Sequence, residues 1–299
     1  MWTRRRILTV LLSSSLGVSR SWSQEGEKPL RFGVIADPQY ADVPTKGSRH
    51  YRASLAKLDA CIEELNQHEL AFTVTLGDLI DRDLNSFGSV LERYSALKSD
   101  HRVVLGNHDF DVAEADKAKV TDELKLEKTY RSLRASGWRI IFLDGTKVST
   151  FRYPKDSVEY RAAEEMRAAL AKEGRPNSVS WNGGIGDTQL EWFESELKAA
   201  AEKGEKVIVC CHFPALPAGD VHNLWDAPEV VEVIDRHPHV AAYFNGHNHA
   251  GSYAKRKHCH YVNFKGMVET ATQSAFATVT CYPDRLEIDG FGAEIDRAL

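Results

Sequence analysis

RFGVIADPQYAD, Arg31–Asp42, is an apolar run that stops at an acid. Phe32, Gly33, Val34, Ile35 and Ala36 are all apolar or small, as in a strand buried on both faces. Asp37 ends the run, Pro38 cannot extend a hydrogen-bonded ladder, and Gln39 follows. A carboxylate at the end of such a strand must be paired, hydrogen-bonded or bound to a metal, because an isolated buried charge is costly.

The same device recurs along the chain. Short runs rich in Val, Ile and Phe occupy Phe32–Ala36, Phe72–Leu76, Arg102–Leu105, Trp138–Leu143, Lys206–Cys210, Val240–Phe244, Tyr261–Phe264 and Phe276–Cys281, and they read as strands. Leu55, Leu58, Ile62 and Leu65 recur at helical spacing within a helix expected over about Tyr51 to Gln67. A second helix is expected from Asp187, read as its N-cap, with Leu190, Phe193 and Leu197 inward. Strand–helix–strand alternation predicts an α/β fold with parallel pairs. In the tail TVTCYPDRLEIDG, Pro283-Asp284 separates two alternating runs, which predicts an antiparallel hairpin and hence mixed sheets. Residues 146–186 are polar and without clear period, and are expected to form a long loop over one end of the sheets.

The chain has 299 residues and a formal charge of -5, which gives no general attraction to nucleic acid or anionic membrane. A polyanionic substrate would need local positive charge, such as bound cations. The five cysteines, Cys61, Cys210, Cys211, Cys259 and Cys281, are odd in number and scattered, so they predict neither a disulfide scaffold nor a CxxC zinc site. Arg4, Arg5 and Arg6 precede ILTVLLSSSLGV, and Ser21-Trp22-Ser23 supplies a small-x-small cleavage site. Residues 1–23 therefore read as a secretory signal, twin-arginine in style, in front of one domain over 24–299. A functional signal would export the protein to the periplasm or beyond, with no stable membrane insertion afterwards. A frayed tail, a membrane anchor and a cytoplasmic location are the alternatives.

What ends each apolar run defines the chemistry. The runs deliver Asp37, Asp78, Asn107 with His108 and Asp109, His212, and finally His247 and His249, in each case at the carboxyl end. In open α/β sheets ligands bind at that edge. Carboxylate, amide and imidazole without thiolate suit Mn²⁺, Fe, Zn²⁺ or Mg²⁺. Asp37, Gln39, Asp78, Asn107, His212, His247 and His249 are too many donors for one tetrahedral ion and enough for two six-coordinate ions. Glycines precede the donors in LGD, LGN and NGH, where they admit the next side chain to a crowded centre.

In this order, DxQ (Asp37–Gln39), GDLIDR (Gly77–Arg82), GNHD (Gly106–Asp109), His212 and GHNH (Gly246–His249) resemble the signature of the calcineurin-like metallophosphoesterases. The resemblance implies two mixed sheets packed face to face with helices outside. It implies a first ion on Asp37, Gln39, Asp78 and His249, and a second on Asp78, Asn107, His212 and His247, with Asp78 bridging. His108 would act as general acid or charge stabiliser beside the phosphate, oriented by Asp109; the alternative for Asp109 is a helix N-cap. Most of the family has His where this chain has Gln39, a harder and weaker donor that favours Mn²⁺ or Mg²⁺ over zinc. The alternative is that Gln39 points away from the ion.

DxQ, WNGGIG (Trp181–Gly186) and the stretch His258–Gly292 are similar to one subgroup, the manganese-dependent ADP-ribose/CDP-alcohol diphosphatases. The implied substrate is a small nucleoside diphosphate conjugate, cleaved at its pyrophosphate by a monomer. Phe110, Tyr40 and Tyr153 are expected to stack a base or fence the pocket, and Cys259 to face the substrate. His222 and His258 are further candidate phosphate contacts. A broad phosphomonoesterase or cyclic-nucleotide phosphodiesterase is the second reading, and a metal-free binding scaffold the third.

Overall fold

The computed structural model describes residues 28–299, so the expected leader lies outside the described residues. The strands are β1 Leu30–Ile35, β2 Phe72–Thr75, β3 Asp100–Val103, β4 Arg131–Ala135, β5 Trp138–Phe142, β6 Lys206–Cys210, β7 Val240–Asn245, β8 Ser252–Arg256, β9 Cys259–Asn263, β10 Ala275–Cys281, β11 Leu286–Gly292 and β12 Arg297–Ala298. The helices are α1 Ser54–Leu65, α2 Ser86–Tyr94, α3 Val120–Glu123, α4 Val158–Lys172, α5 Asp187–Glu202 and α6 Ala227–Arg236. One six-stranded sheet has the order β12-β11-β10-β1-β2-β3, and the other β4-β5-β6-β7-β9-β8. β1–β2–β3 and β5–β6–β7–β9 run parallel, while the flanking pairs are antiparallel.

Period-two alternation builds the sandwich. Phe32 and Val34 of β1, with Phe72 and Val74 of β2, meet Ile140 and Phe142 of β5, Ile208 of β6 and Phe244 of β7 between the sheets. Ile35 faces the other way and packs with Leu58, Ile62 and Leu65 of α1 and Val90 of α2. Phe193 and Leu197 of α5 and Val230 and Ile234 of α6 cover Val207 and Val209 on the outer face of the second sheet. The arrangement is thus helix, sheet, sheet, helix. The hairpin β10–β11 forms as expected, with Cys281 opposite Leu286 and Tyr282 N–H donating to the Arg285 carbonyl.

Two expectations change. Residues 146–186 are not one long loop, because they contain α4, whose Ser157 side chain accepts from the Tyr160 N–H as an N-cap. The periodicity was invisible because only Ala163 and Leu170 of this helix are buried. Asp187 lies inside α5, and Gly186 occupies the cap with φ 74°. The edge strands β4, β8 and β12 were not read because edge positions tolerate polar residues; β4 is RSLRA and β8 is SYAKR.

Candidate metal centre

The parallel strands bring their carboxyl ends together, as the sequence implied. Asp37 follows β1, Asp78 follows β2, Asn107 follows β3, His212 follows β6 and His247 follows β7. Two groups result, each with its donor atoms within 4.8 Å of one another: Asp37, Asp78 and His249; and Asp78, His212 and His247. Asp78 is common to both. Asp37, Gln39, Asp78 and His212 are fully buried.

Hydrogen bonding selects which nitrogen each imidazole presents. His212 Nδ1–H donates to the Leu76 carbonyl (2.7 Å), leaving Nε2 3.1 Å from His247 Nδ1, 3.2 Å from Asn107 Oδ1 and 3.3 Å from Asp78 Oδ2. The Asn182 amide N–H₂ donates to the Asn177 and Val221 carbonyls, so Asn182 Oδ1 must accept from His247 Nε2–H (2.9 Å), and His247 Nδ1 is left free. His249 Nδ1–H donates to Glu269, and Nε2 lies 3.6 Å from Asp37 Oδ1. In every case the outer nitrogen is tied to a protein acceptor and the inner nitrogen faces the other donors, which is how metal-binding histidines are set.

The backbone is bent to do this. Asp37, Gln39, Asp78 and His247 all have positive φ, at 50°, 43°, 53° and 70°. Each such conformation costs on the order of 1 kcal/mol outside glycine and persists where the surroundings impose it. The glycines before three donors serve the same crowding. A Cβ on Gly106 would lie 2.2 Å from Asp78 Oδ1, and one on Gly246 would lie 2.5 Å from Asp37 Oδ2.

The electrostatics suit cations. Burial opposes charge on His212, but the Asp78 and Asp37 carboxylates outweigh it and raise its pKa to about 9. His249 is likewise raised to about 9 by Asp37 and Glu269 against its burial. Burial would raise Asp78 too, yet the facing histidines hold it well below the usual carboxylate range. Two such protons are what divalent ions would displace. Gln39 completes the fit. Its Nε2 sits 2.9 Å from Asp78 Oδ2 and 3.2 Å from His249 Nε2, while its buried Oε1 has no partner. A half-turn of the terminal amide exchanges these atoms and turns the orphaned oxygen toward the donor group.

The centre floors a cleft of about 560 Å³ lined by Arg49, His108, Phe110, Phe151, Trp181 and His222 among others. His108 Nε2 accepts from Arg49 Nη1 (3.2 Å), and Nδ1 lies 3.4 Å from Asp81 Oδ1. Burial would lower the His108 pKa; the nearby Asp78 and Asp81 carboxylates raise it.

Residues 30–251 match the Calcineurin-like phosphoesterase family. The chain belongs to that family. The manganese-dependent ADP-ribose/CDP-alcohol diphosphatase of Xenopus tropicalis is 32% identical over 332 residues, covering 93% of this chain and 96% of the relative. The human protein of the same description is 28% identical over 326 residues, covering 93% and 94%. A dimetal phosphatase from Danio rerio has the same fold, with a TM-score of 0.82 at 23% identity over 91% of this chain and 99% of that one. GAP50, an anchor in the inner membrane complex of Plasmodium, shares the fold at a TM-score of 0.54 and 13% identity, covering 91% and 90%.

Not every expected site residue of this phosphoesterase reaches the cleft. Phe110 and His222 do. Tyr40 instead packs beneath the metal loops in the cluster with Leu79 and Ile80, and Tyr153 lies against Arg152. Cys259 is fully buried on β9 among Tyr261 and Val240, so it faces the core and not a substrate. His258 lies beside Trp138, Lys206 and His239, near the amino-terminal ends of the parallel strands. Asp109 does not orient His108, nor does it cap a helix. Its carboxylate accepts from the N–H groups of Leu79 (2.8 Å), Gly106 (2.9 Å) and Asp78 (3.2 Å), tying together the two loops that carry Asp78 and Asn107. Burial and the Asp78 charge push it up to about 7, and those N–H groups work against this. The carboxylate beside His108 is Asp81. Asp81 stands inside GDLIDR and Asn182 inside WNGGIG. Arg49 lies in a segment without a motif and Glu269 within His258–Gly292, and only the fold brings them to His108 and His249.

Proposed function

We propose that the protein is a dinuclear, manganese-dependent diphosphatase that cleaves the pyrophosphate of nucleoside diphosphate conjugates such as ADP-ribose or CDP-alcohols. The observation that carries this reading is the set of inner histidine nitrogens, each selected by an outer acceptor and converging on a shared Asp78. Asp37, Gln39, Asp78 and His249 would hold one ion, and Asp78, Asn107, His212 and His247 the other. Bound there, two ions supply charge neutralisation for the phosphoryl oxygens and activation of water. The relatives' names support the substrate class and the metal, at 32% identity over nearly the whole chain for the Xenopus protein.

The chain's own residues do the rest. His108, with Nδ1 beside Asp81, would stabilise charge on the departing oxygen or, once that oxygen takes the place of Arg49 at Nε2, give it a proton, and Arg49 would orient that oxygen. Phe110 and Phe151 would flank the nucleoside and exclude water. The GAP50 likeness is a reminder that this fold also serves as an anchor, so a non-catalytic role is the reading to eliminate.

The deciding assay offers the Mn²⁺-loaded protein ADP-ribose, CDP-choline, a cyclic nucleotide and p-nitrophenyl phosphate. Turnover of a diphosphate conjugate well ahead of the other two classes, giving a nucleoside monophosphate, is expected. Faster turnover of the monoester or cyclic substrate would replace this reading with the second one; no bound metal and no turnover would remove it. The Arg4–Arg6 and Ile7–Val18 pattern further supports export of the mature chain, tested by which cell fraction contains it and whether residues 1–23 are absent there.

A further inference from the structure

The cleft has a second lobe beyond His249. It measures about 500 Å³ and is lined by Arg49, Asn248, Lys265, Glu269, Thr270 and Ala293 among others. Arg49, His222, His247 and His249 line both lobes, so the metal centre lies at their junction.

The lobes differ in chemistry. The first holds Phe110, Phe151 and Trp181, flat apolar surfaces suited to a base. The second has no Phe, Tyr or Trp among its lining residues. Recognition of a quaternary ammonium group draws on aromatic faces, and this lobe offers none. It offers cations instead. Arg49 lies 3.9 Å from Glu269, and Glu269 is already engaged by His249. The nearby Glu294 carboxylate accepts from the Lys265 backbone N–H and pairs with Arg297. Among the described residues, Lys265 Nζ has neither an ion-pair nor a hydrogen-bond partner. Its stem runs over Gly251, where a Cβ would lie 2.8 Å from Lys265 Cγ, so Gly251 leaves room for it.

We propose that Lys265 and Arg49 form the subsite for the half of the substrate that is not the nucleoside, and that this subsite selects a hydroxyl-rich or anionic group over a cationic one. The proposal rests on the diphosphatase reading above. An ammonium donates to sugar hydroxyls or to a further phosphate, and repels choline at the same position. ADP-ribose is therefore a better substrate than CDP-choline, and Lys265 sets the margin.

The test measures kcat/KM for ADP-ribose and for CDP-choline, with bis-p-nitrophenyl phosphate as a report on the metal centre, in wild type, Lys265→Ala and Lys265→Glu. Wild type is expected to favour ADP-ribose by about tenfold or more, Lys265→Ala to lose most of that ratio, and Lys265→Glu to invert it, since a charge-assisted hydrogen bond is worth roughly tenfold and reversal adds attraction for choline. The Mn²⁺-induced rise in melting temperature, measured for each variant, reports that the fold and centre are intact. A wild-type ratio near one, or equal loss on both conjugates in variants with an intact Mn²⁺ response, overturns the subsite while leaving the diphosphatase reading standing. Turnover of bis-p-nitrophenyl phosphate with neither conjugate cleaved overturns both.

Discussion

The two halves of the centre share Asp78 but are held differently. On one side His212 is fixed by the Leu76 carbonyl and His247 by Asn182, both buried polar groups whose other bonds stay within the protein. On the other, His249 is fixed by Glu269, a quarter exposed and beside the cleft, and the group facing it is the amide of Gln39, which we propose as a further donor. Rigid, neutral acceptors hold a site in one geometry. A partly exposed carboxylate and an amide leave the other side open to the cleft. The His212–His247 side is enclosed, and the His249–Gln39 side borders the cleft.

The severest way to break the comparison is to remove what the halves share. Asp78→Ala is expected to lose both ions and at least about 10³-fold in activity, read as Mn²⁺ per chain and kcat. One tightly held ion remaining would show that Asp78 does not bridge. Next come the two holders. Asn182→Ala and Glu269→Gln are each expected to weaken metal binding about 10- to 100-fold, but on different ions, resolved as separate steps in Mn²⁺ titration. Both variants weakening the same step would mean that the halves are not independent.

Gln39→His is expected to strengthen the first-ion step about tenfold and to raise Zn²⁺ over Mn²⁺ there, leaving the other step unchanged. An unaltered titration would show that Gln39 contributes no donor. The smallest effect is in pH. His212 and His249 have folded pKa values of about 9, above the unfolded value near 6.5. A raised pKa contributes stability fully present below about pH 6.5 and lost as pH rises through about 9. Chelator-treated protein is therefore expected to lose a few degrees of melting temperature over that window. Mn²⁺-loaded protein should gain over the same window, because its ions no longer compete with protons. Parallel curves with and without Mn²⁺ would contradict the placement of those protons.

The donors were legible because each obeys a local rule: an apolar strand, then a residue no core would accept alone, with a glycine between them before Asp78, Asn107 and His247. Asp37, Asp78, Asn107, His212 and His247 could all be read in that way. Cys259 and Tyr153 could not be assigned so, since alternation along β9 turns Cys259 into the core and Arg152 claims the face of Tyr153. Asp109 shows the same limit. Its place next to His108 in the chain suggested a partner in catalysis, but its short side chain turns back to the N–H groups of the adjoining loops.

The order of residues by itself determined that mixed sheet forms and that the strands' carboxyl ends carry oxygen and nitrogen donors, because strand burial and strand termination are written in neighbours; that the strands divide into two sheets came from the family resemblance. Only the tertiary structure decided which nitrogen each histidine presents, that Asp81 and not Asp109 stands by His108, and that Arg49 and Lys265 flank the centre. Those facts depend on hydrogen bonds and cavity walls between residues as much as two hundred positions apart, such as His247 N–H and Asp37 at a separation of 210, and no local pattern records them.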